Sequence, residues 1–283
     1  MTEKLIALVD GSIYSKSVCN HAAWIAGRTG APVEVLHVLG RRETTSSDFS
    51  GSIALGARSA LLQELSELDE QRAKLAQKRG RAILEDAEAA LHSAGVEQVT
   101  ARLRNGDLLE TVAEAETDAR GIVIGKRGEA ADFAKLHLGS NLERIARSSR
   151  KPVLVASRAF KPINKVLIAY DGGPSAMRAV DHVARAPLFA GLEVTVLTVG
   201  ADNGETHRRL EDAQATLKSG GHAVSVQLTQ GQPEKIISEV VERDGIDLLV
   251  MGAYGHSRIR AMIIGSTTSE MIRSCKVPVL LFR

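Results

Sequence analysis

The chain has 283 residues, enough for one large domain or two of ordinary size. A formal net charge of +2 with no long basic run argues against a dedicated nucleic-acid surface. Aromatics are only 3% of residues while Ala, Val, Leu and Ile abound, which favours helices on a parallel sheet over an aromatic-rich sandwich.

From Lys4 the chain reads KLIALVDGS, an apolar strand ending in Asp10-Gly11-Ser12, followed by helical spacing through Val18, Ala22, Ile25 and Ala26. VEVLHV (33–38) is a second strand. An extra stretch then runs from about Arg41 to Lys78. Its start, RRETTSSDFSGS, reads as a polar loop. From Ala60 through Leu61, Leu65, Leu68 and Leu75 to Ala82 the apolar spacings of three, four and seven predict a long helix, either a solvated extension of the fold or a docking or lid element. IVIGKRG (122–128) and KPVLVA (151–156) supply further strands, and SRAFKPINK (157–165) is a short link interrupted by Pro162.

The pattern then begins again. KVLIAYDGGPS starts at Lys165 with helical spacing through Ala176, Val180, Val183 and Ala184. VTVLTV (194–199), LVMGAYG (249–255) and VPVLLF (277–282) answer the strands of the first half in the same order. Each half is therefore expected to hold five strands alternating with four helices, a parallel sheet covered on both faces. The expected domains are 1–158 and 163–283. Cys19 and Cys275 have neither zinc nor redox-pair spacing and are expected to pack as small apolar residues. The histidines show no metal-ligand spacing and are expected at the surface or at helix ends, except His37 on a strand end. No run reaches the roughly 18 apolar residues of a membrane span, and the N-terminus lacks a signal-peptide layout, so a cytoplasmic protein is expected.

The chemistry concentrates in LLVMGAYGHSRIRAMIIGSTTSEMIRS (248–274). A strand ends at Gly252; Gly255 follows, then nine residues, then Gly265-Ser266-Thr267-Thr268 at a helix start. The first N–H groups of a helix lack internal partners and carry partial positive charge, and glycine admits an oxyanion close to the backbone, so this arrangement suits a phosphate. Ordinary capping by Ser266 or Thr267 is the alternative. Ligands of an open parallel sheet collect beyond the carboxyl ends of its strands. Here those ends are Tyr170 and Asp171, Val199, and Met251 and Gly252. No GxxxxGK(S/T), HExxH or GxSxG motif occurs, and DGGPS (171–175) departs at both key positions from the SGGxDS loop of ATP pyrophosphatases.

Gly252, Gly255, Gly265 and Ser266 match the GxxG-x9-G(S/T) signature of the ATP-binding subclass of the universal stress protein family, which the chain resembles throughout both halves. The resemblance implies two tandem Rossmann-like domains of the adenine nucleotide alpha hydrolase-like type, α/β in class, each a five-stranded mostly parallel sheet flanked by helices. It implies ATP as ligand, with Mg²⁺ left open, and a role in stress survival as a nucleotide-responsive binding protein. It places Asp171 and Val199 near adenine, Met251 and Gly252 near adenine and ribose, and Gly255, His256, Gly265, Ser266 and Thr267 around the phosphates, with Thr268 as a further hydroxyl for phosphate or metal. In the first half the equivalents are Asp10, Val38, Ile124, Gly125, Gly128, Gly139, Ser140 and Asn141. Gly128 and Gly139 are separated by ten residues rather than nine, so binding there stays open; Lys126 and Arg127 would add positive charge. The resemblance further pairs PVLVA (152–156) with PVLLF (278–282), an intramolecular pseudo-dimer, and leaves open a homodimer of tandem chains and an unknown protein partner. A nucleotide-independent interaction module and a slow ATPase are the alternatives; no residue is evidently placed as a general base for water.

Overall fold

The computed structural model describes residues 3–40, 58–126, 140–253 and 266–283. The first half runs β1 (Lys4–Leu8), α1 (Ser15–Thr29), β2 (Val33–Leu39), α2 (Arg58–Ser93), β3 (Val99–Asn105), α3 (Leu108–Ala115), β4 (Ala119–Gly125), α4 (Ser140–Ser148) and β5 (Val153–Ala156). The second runs β6 (Lys165–Ala169), α5 (Pro174–Arg185), β7 (Glu193–Val199), α6 (Gly204–Ser219), β8 (Val224–Thr229), α7 (Pro233–Arg243), β9 (Leu248–Gly252), α8 (Ser266–Ser274) and β10 (Val279–Phe282). The alternation expected from the repeat is present in both halves.

The strands form one ten-stranded sheet in the order β3-β2-β1-β4-β5-β10-β9-β6-β7-β8. All neighbours are parallel except β5 and β10, which run antiparallel with Val279 opposite Val155, Leu280 opposite Leu154 and Leu281 opposite Val153. The pairing joins two strand ends that would otherwise be open edges. Helices α1, α2, α5 and α6 pack on one face and α3, α4, α7 and α8 on the other. The central strands are buried on both faces, so they read as continuous apolar runs. β3 (VTARLRN) and β8 are more exposed and close the two outer edges; the arginines of β3 discourage further pairing.

Contacts at helix ends lock the halves together. Lys126 Nζ donates to the carbonyl of Cys275 just past α8 (2.9 Å), and Arg283 Nη1 donates to the carbonyls of Arg147 (3.0 Å) and Ser148 in α4. Each cation thus meets the negative end of a helix in the opposite half. Arg28 Nε reaches Leu188 O (2.6 Å) across the halves, while Ser17 Oγ donates to Ser157 O (2.7 Å) and fixes the start of the link. In the link, Phe160 packs edge-on to His21, with ring centroids 5.0 Å apart, and Ile163 is buried.

The structure alters three sequence expectations. The long helix does not stop near Ala82. It continues to Ser93 as one 36-residue helix, because Leu84, Ala87 and Leu91 carry the apolar face onward against the sheet. Its counterpart α6 has 16 residues, so the extra stretch is an N-terminal extension of an ordinary element. His21 and His222 are buried rather than superficial, and His37, set apart from the others in the sequence, is buried too. Each ring donates to a carbonyl, that of Ser17 (2.7 Å), Val9 (2.7 Å) and Val183 (2.9 Å) respectively. Lys126 turns to the other half through Cys275. Both cysteines are buried and unbridged as expected, and burial pushes the Cys19 thiol up to about 11.

Burial also holds the pKa of His21 below its ordinary value near 6.5. Above that pH both folded and unfolded chains carry a neutral ring and the contribution is intact. As pH falls below it, the unfolded chain takes up a proton that the folded chain refuses, and stability drops. Thermal melts of a His21→Leu variant are therefore expected to lose less Tm between pH 7 and pH 5 than wild type. An equal slope would assign the acid sensitivity elsewhere.

Candidate functional site

In the second half the chain leaves β6 for β7 on one side, while β9 lies on the other. The crevice between the carboxyl ends of β6 and β9 is thus a topological switch point. β1 and β4 form the same junction in the first half.

Beyond β6, Tyr170 continues the ladder to Leu197 O (2.8 Å), and its own carbonyl accepts from Thr198 Oγ1 (2.8 Å). Its ring is buried in the core under α5 and α6, where burial raises the phenol pKa, so Tyr170 anchors the strand end. Asp171 is exposed and its Oδ1 accepts from the N–H of Gly173 (2.9 Å), an Asx turn rather than a helix cap. Gly172 between them has φ +73°, a left-handed conformation that glycine adopts without strain. The first half repeats the device: Gly11 has φ +77° and Asp10 Oδ1 accepts from Ser12 N (3.0 Å).

Gly252 ends β9 directly against the first turn of α5. A methyl group there would lie 2.9 Å from Ser175 Cβ and 3.2 Å from Ala176 N, so only glycine lets strand and helix approach this closely. Val199 and Met251 sit in the apolar cluster under α7 and α8, Met251 buried and Val199 half-buried. At the start of α8, Thr268 is buried and its hydroxyl donates to Gly252 O (3.1 Å), tying the helix N-terminus to the end of β9. Thr267 donates to Glu234 Oε1 in the first turn of α7 (2.8 Å), and Ser266 is exposed. Two of the three hydroxyls thus have partners within the protein; among the described residues, Ser266 and the first backbone N–H groups of α8 are the donors that remain for a ligand. Gly255, His256 and Gly265 lie outside the described residues.

In the first half, Ile124 is buried and Asp10, Val38 and Gly125 are half-buried at the corresponding strand ends. Ser140 begins α4 and Asn141 is exposed; Gly128, Gly139 and Arg127 lie outside the described residues.

One group was not singled out from sequence. Arg209 of α6 lies across Gly172: a methyl there would stand 2.9 Å from its Cδ and 3.2 Å from its Nη1. Arg209 also pairs with Glu205 and acts electrostatically on Tyr170. At Gly11 the corresponding neighbour is Ile83 (Cδ1, 2.7 Å), with Arg79 Nη2 farther off at 3.9 Å. Aligning LHSAGV (91–96) with LKSGGH (217–222) sets Ile83 against Arg209, a contrast legible only once the helices are in register. The nearest neighbour of the second aspartate turn is therefore a cation, whereas the first has an isoleucine in that place with Arg79 behind it. Among the described residues no group of three His, Cys, Asp or Glu is disposed to hold a metal ion, and no helix is long and apolar enough to cross a membrane.

The sequence profile of the universal stress protein family matches residues 1–157 and again residues 162–283. Universal stress protein Slr1230 of Synechocystis sp. is 38% identical over 286 residues, spanning 99% of this chain and 100% of that one. A universal stress protein of Mycolicibacterium smegmatis is 23% identical over 97% of this chain and 95% of its own length. Among solved structures, a universal stress protein from Archaeoglobus fulgidus superposes with a TM-score of 0.72 over 99% of this chain and 98% of that one, at 23% identity, a likeness of fold. The repeated sequence, the duplicated sheet and these matches agree: the chain belongs to the universal stress protein family and carries the family's domain twice in tandem.

Proposed function

We propose that the second domain, residues 163–283, binds ATP in the crevice between β6 and β9, and that the protein acts in stress survival as a nucleotide-responsive binding protein in the cytoplasm. The observation that carries this reading is the convergence at one switch point of the Asp171 turn, the Gly252 strand end and the N-terminus of α8, in a chain whose glycines keep the GxxG-x9-G(S/T) spacing. Asp171 offers a carboxylate oxygen toward the base, Val199 and Met251 an apolar wall, and α8 its backbone N–H groups toward the phosphates. Any Mg²⁺ would arrive with the nucleotide and would offset the charge of its phosphates. Hydrolysis is slow at most, since the described crevice residues include no group positioned as a general base for water. Residues 1–158 form the first domain, in which Ile83 beside Gly11 and the longer glycine spacing weigh toward weaker binding or none.

The direct test is a thermal shift. At ATP about a hundredfold above Kd, binding should add about 2.7 kcal/mol, or roughly 5–10 °C in Tm. Protein purified without bound adenine nucleotide and indifferent to ATP would refute the reading. A second expectation concerns Glu234, whose carboxylate stands at the start of α8 through Thr267. Its negative charge opposes phosphate, so Glu234→Gln should tighten ATP binding roughly three- to tenfold by calorimetry. Weaker binding would mean that Glu234 contacts the nucleotide favourably.

A further inference from the structure

From Leu61 to Arg79, none of the described side chains of α2 is buried; Gly80 is the first residue to enter the domain. On this segment Leu61, Leu68 and Leu75 are 37%, 48% and 67% exposed, at intervals of seven residues, with half-buried Leu65 on the same stripe. Such a row is more than scattered surface apolarity. With Leu61, Leu68 and Leu75 as heptad d positions, a falls on Leu65, Arg72 and Arg79, g on Glu64, Gln71 and Lys78, and e on Asp69 and Ala76.

We propose that this stripe is the seam of a short antiparallel coiled coil formed with the same helix of a second copy of this chain. The charges select both partner and direction. In a parallel pair, a meets a and g meets e. Arg72 would face Arg72 of the second copy and Glu64 would face Asp69, both like-charged. In the antiparallel pair, a meets d and g meets g. Leu65 then packs on Leu75 of the second copy and the aliphatic stem of Arg72 lies over Leu68. Glu64 opposes Lys78 at both ends, and Gln71 meets Gln71 at the two-fold axis. The Asp69 side chains approach near that axis, each with Arg72 of its own helix 3.8 Å away to neutralise it. Because β5 and β10 already pair within one chain, association of two chains needs a surface of this separate kind.

The whole protein should show a monomer–dimer equilibrium by sedimentation between roughly 1 and 100 µM, the range expected for so short a seam. Leu68→Glu should leave it monomeric with an unchanged Tm. Under mild oxidation Gln71→Cys should form a disulfide-linked dimer. Leu75→Cys should not, because position 75 faces 65 and its own counterpart lies about 15 Å along the axis; native Cys19 and Cys275 are buried and do not compete. A monomer at every concentration, a Leu68→Glu variant that dimerises like wild type, or cross-linking through Leu75→Cys in preference to Gln71→Cys would each overturn the proposal.

Discussion

Asp171→Ala is expected to weaken ATP binding about ten- to a hundredfold, the range of a hydrogen bond to a charged group, while lowering the Tm of the unliganded protein by only a few degrees. The small stability cost follows from what the carboxylate does inside the protein. It accepts the backbone N–H of Gly173 at an exposed turn, and the left-handed Gly172 in that turn needs no help to adopt its conformation. The larger binding cost follows from its place beyond the end of β6, facing the junction with β9. Asp10→Ala makes the matching change in the first half, where Asp10 holds the N–H of Ser12 in the same way. Calorimetry on the two variants therefore assigns the site. Loss in Asp171→Ala with Asp10→Ala like wild type places ATP in the second domain. The reverse pattern would move it to the first, and equal small losses would require two sites.

The second large effect is on stability. Gly220, just past α6, lies so close to α5 that an added methyl would fall 2.1 Å from the carbonyl oxygen of Ala184 and 2.9 Å from its carbonyl carbon. Both are backbone atoms of a packed helix, so no side chain can swing aside. The backbone of Gly220 is otherwise ordinary, with φ −78°, and the penalty is purely one of space. Gly220→Ala should cost about 2–4 kcal/mol, or roughly 5–15 °C in Tm. Gly204→Ala is the control: it sits in the same helix with nothing within 4 Å of the added methyl, and should leave Tm unchanged or slightly raised. The answering position of the first half is already an alanine, Ala94, so the constraint at Gly220 comes from the local approach of α5 rather than from the repeat as such.

What the sequence disclosed, and what it withheld, follows from the range of each interaction. Strand and helix identity was legible because it rests on local periodicity, and the repetition of KLIALVDGS as KVLIAYDGGPS doubled the signal. The seam between β5 and β10 had no local marker; it was anticipated from the family resemblance alone. The reach of α2 past Ala82 was missed because its apolar face shifts there to Leu84, Ala87 and Leu91, which the sheet buries. Only the sheet beneath shows that Leu103 and His37 fill the space beside Gly80. The burial of His21 and His222 depends on carbonyls of Ser17 and Val183 that spacing does not reveal. The ends of Lys126 and Arg209 were hidden for the same reason: long side chains choose partners across the fold, one at Cys275 and the other at Gly172.

The antiparallel join of β5 to β10 bears on how such a protein can change over generations. Where two separate copies meet at this edge, one gene specifies both, so every substitution strikes both crevices at once and a damaging one has no intact twin. Here the partners are spelled by different codons and held together by a link of a few residues, and their encounter does not depend on how much protein the cell makes. Ile83 can stand by one aspartate turn and Arg209 by the other because nothing obliges the halves to agree. Two unlike copies in one chain are free to specialise where a symmetric pair is not.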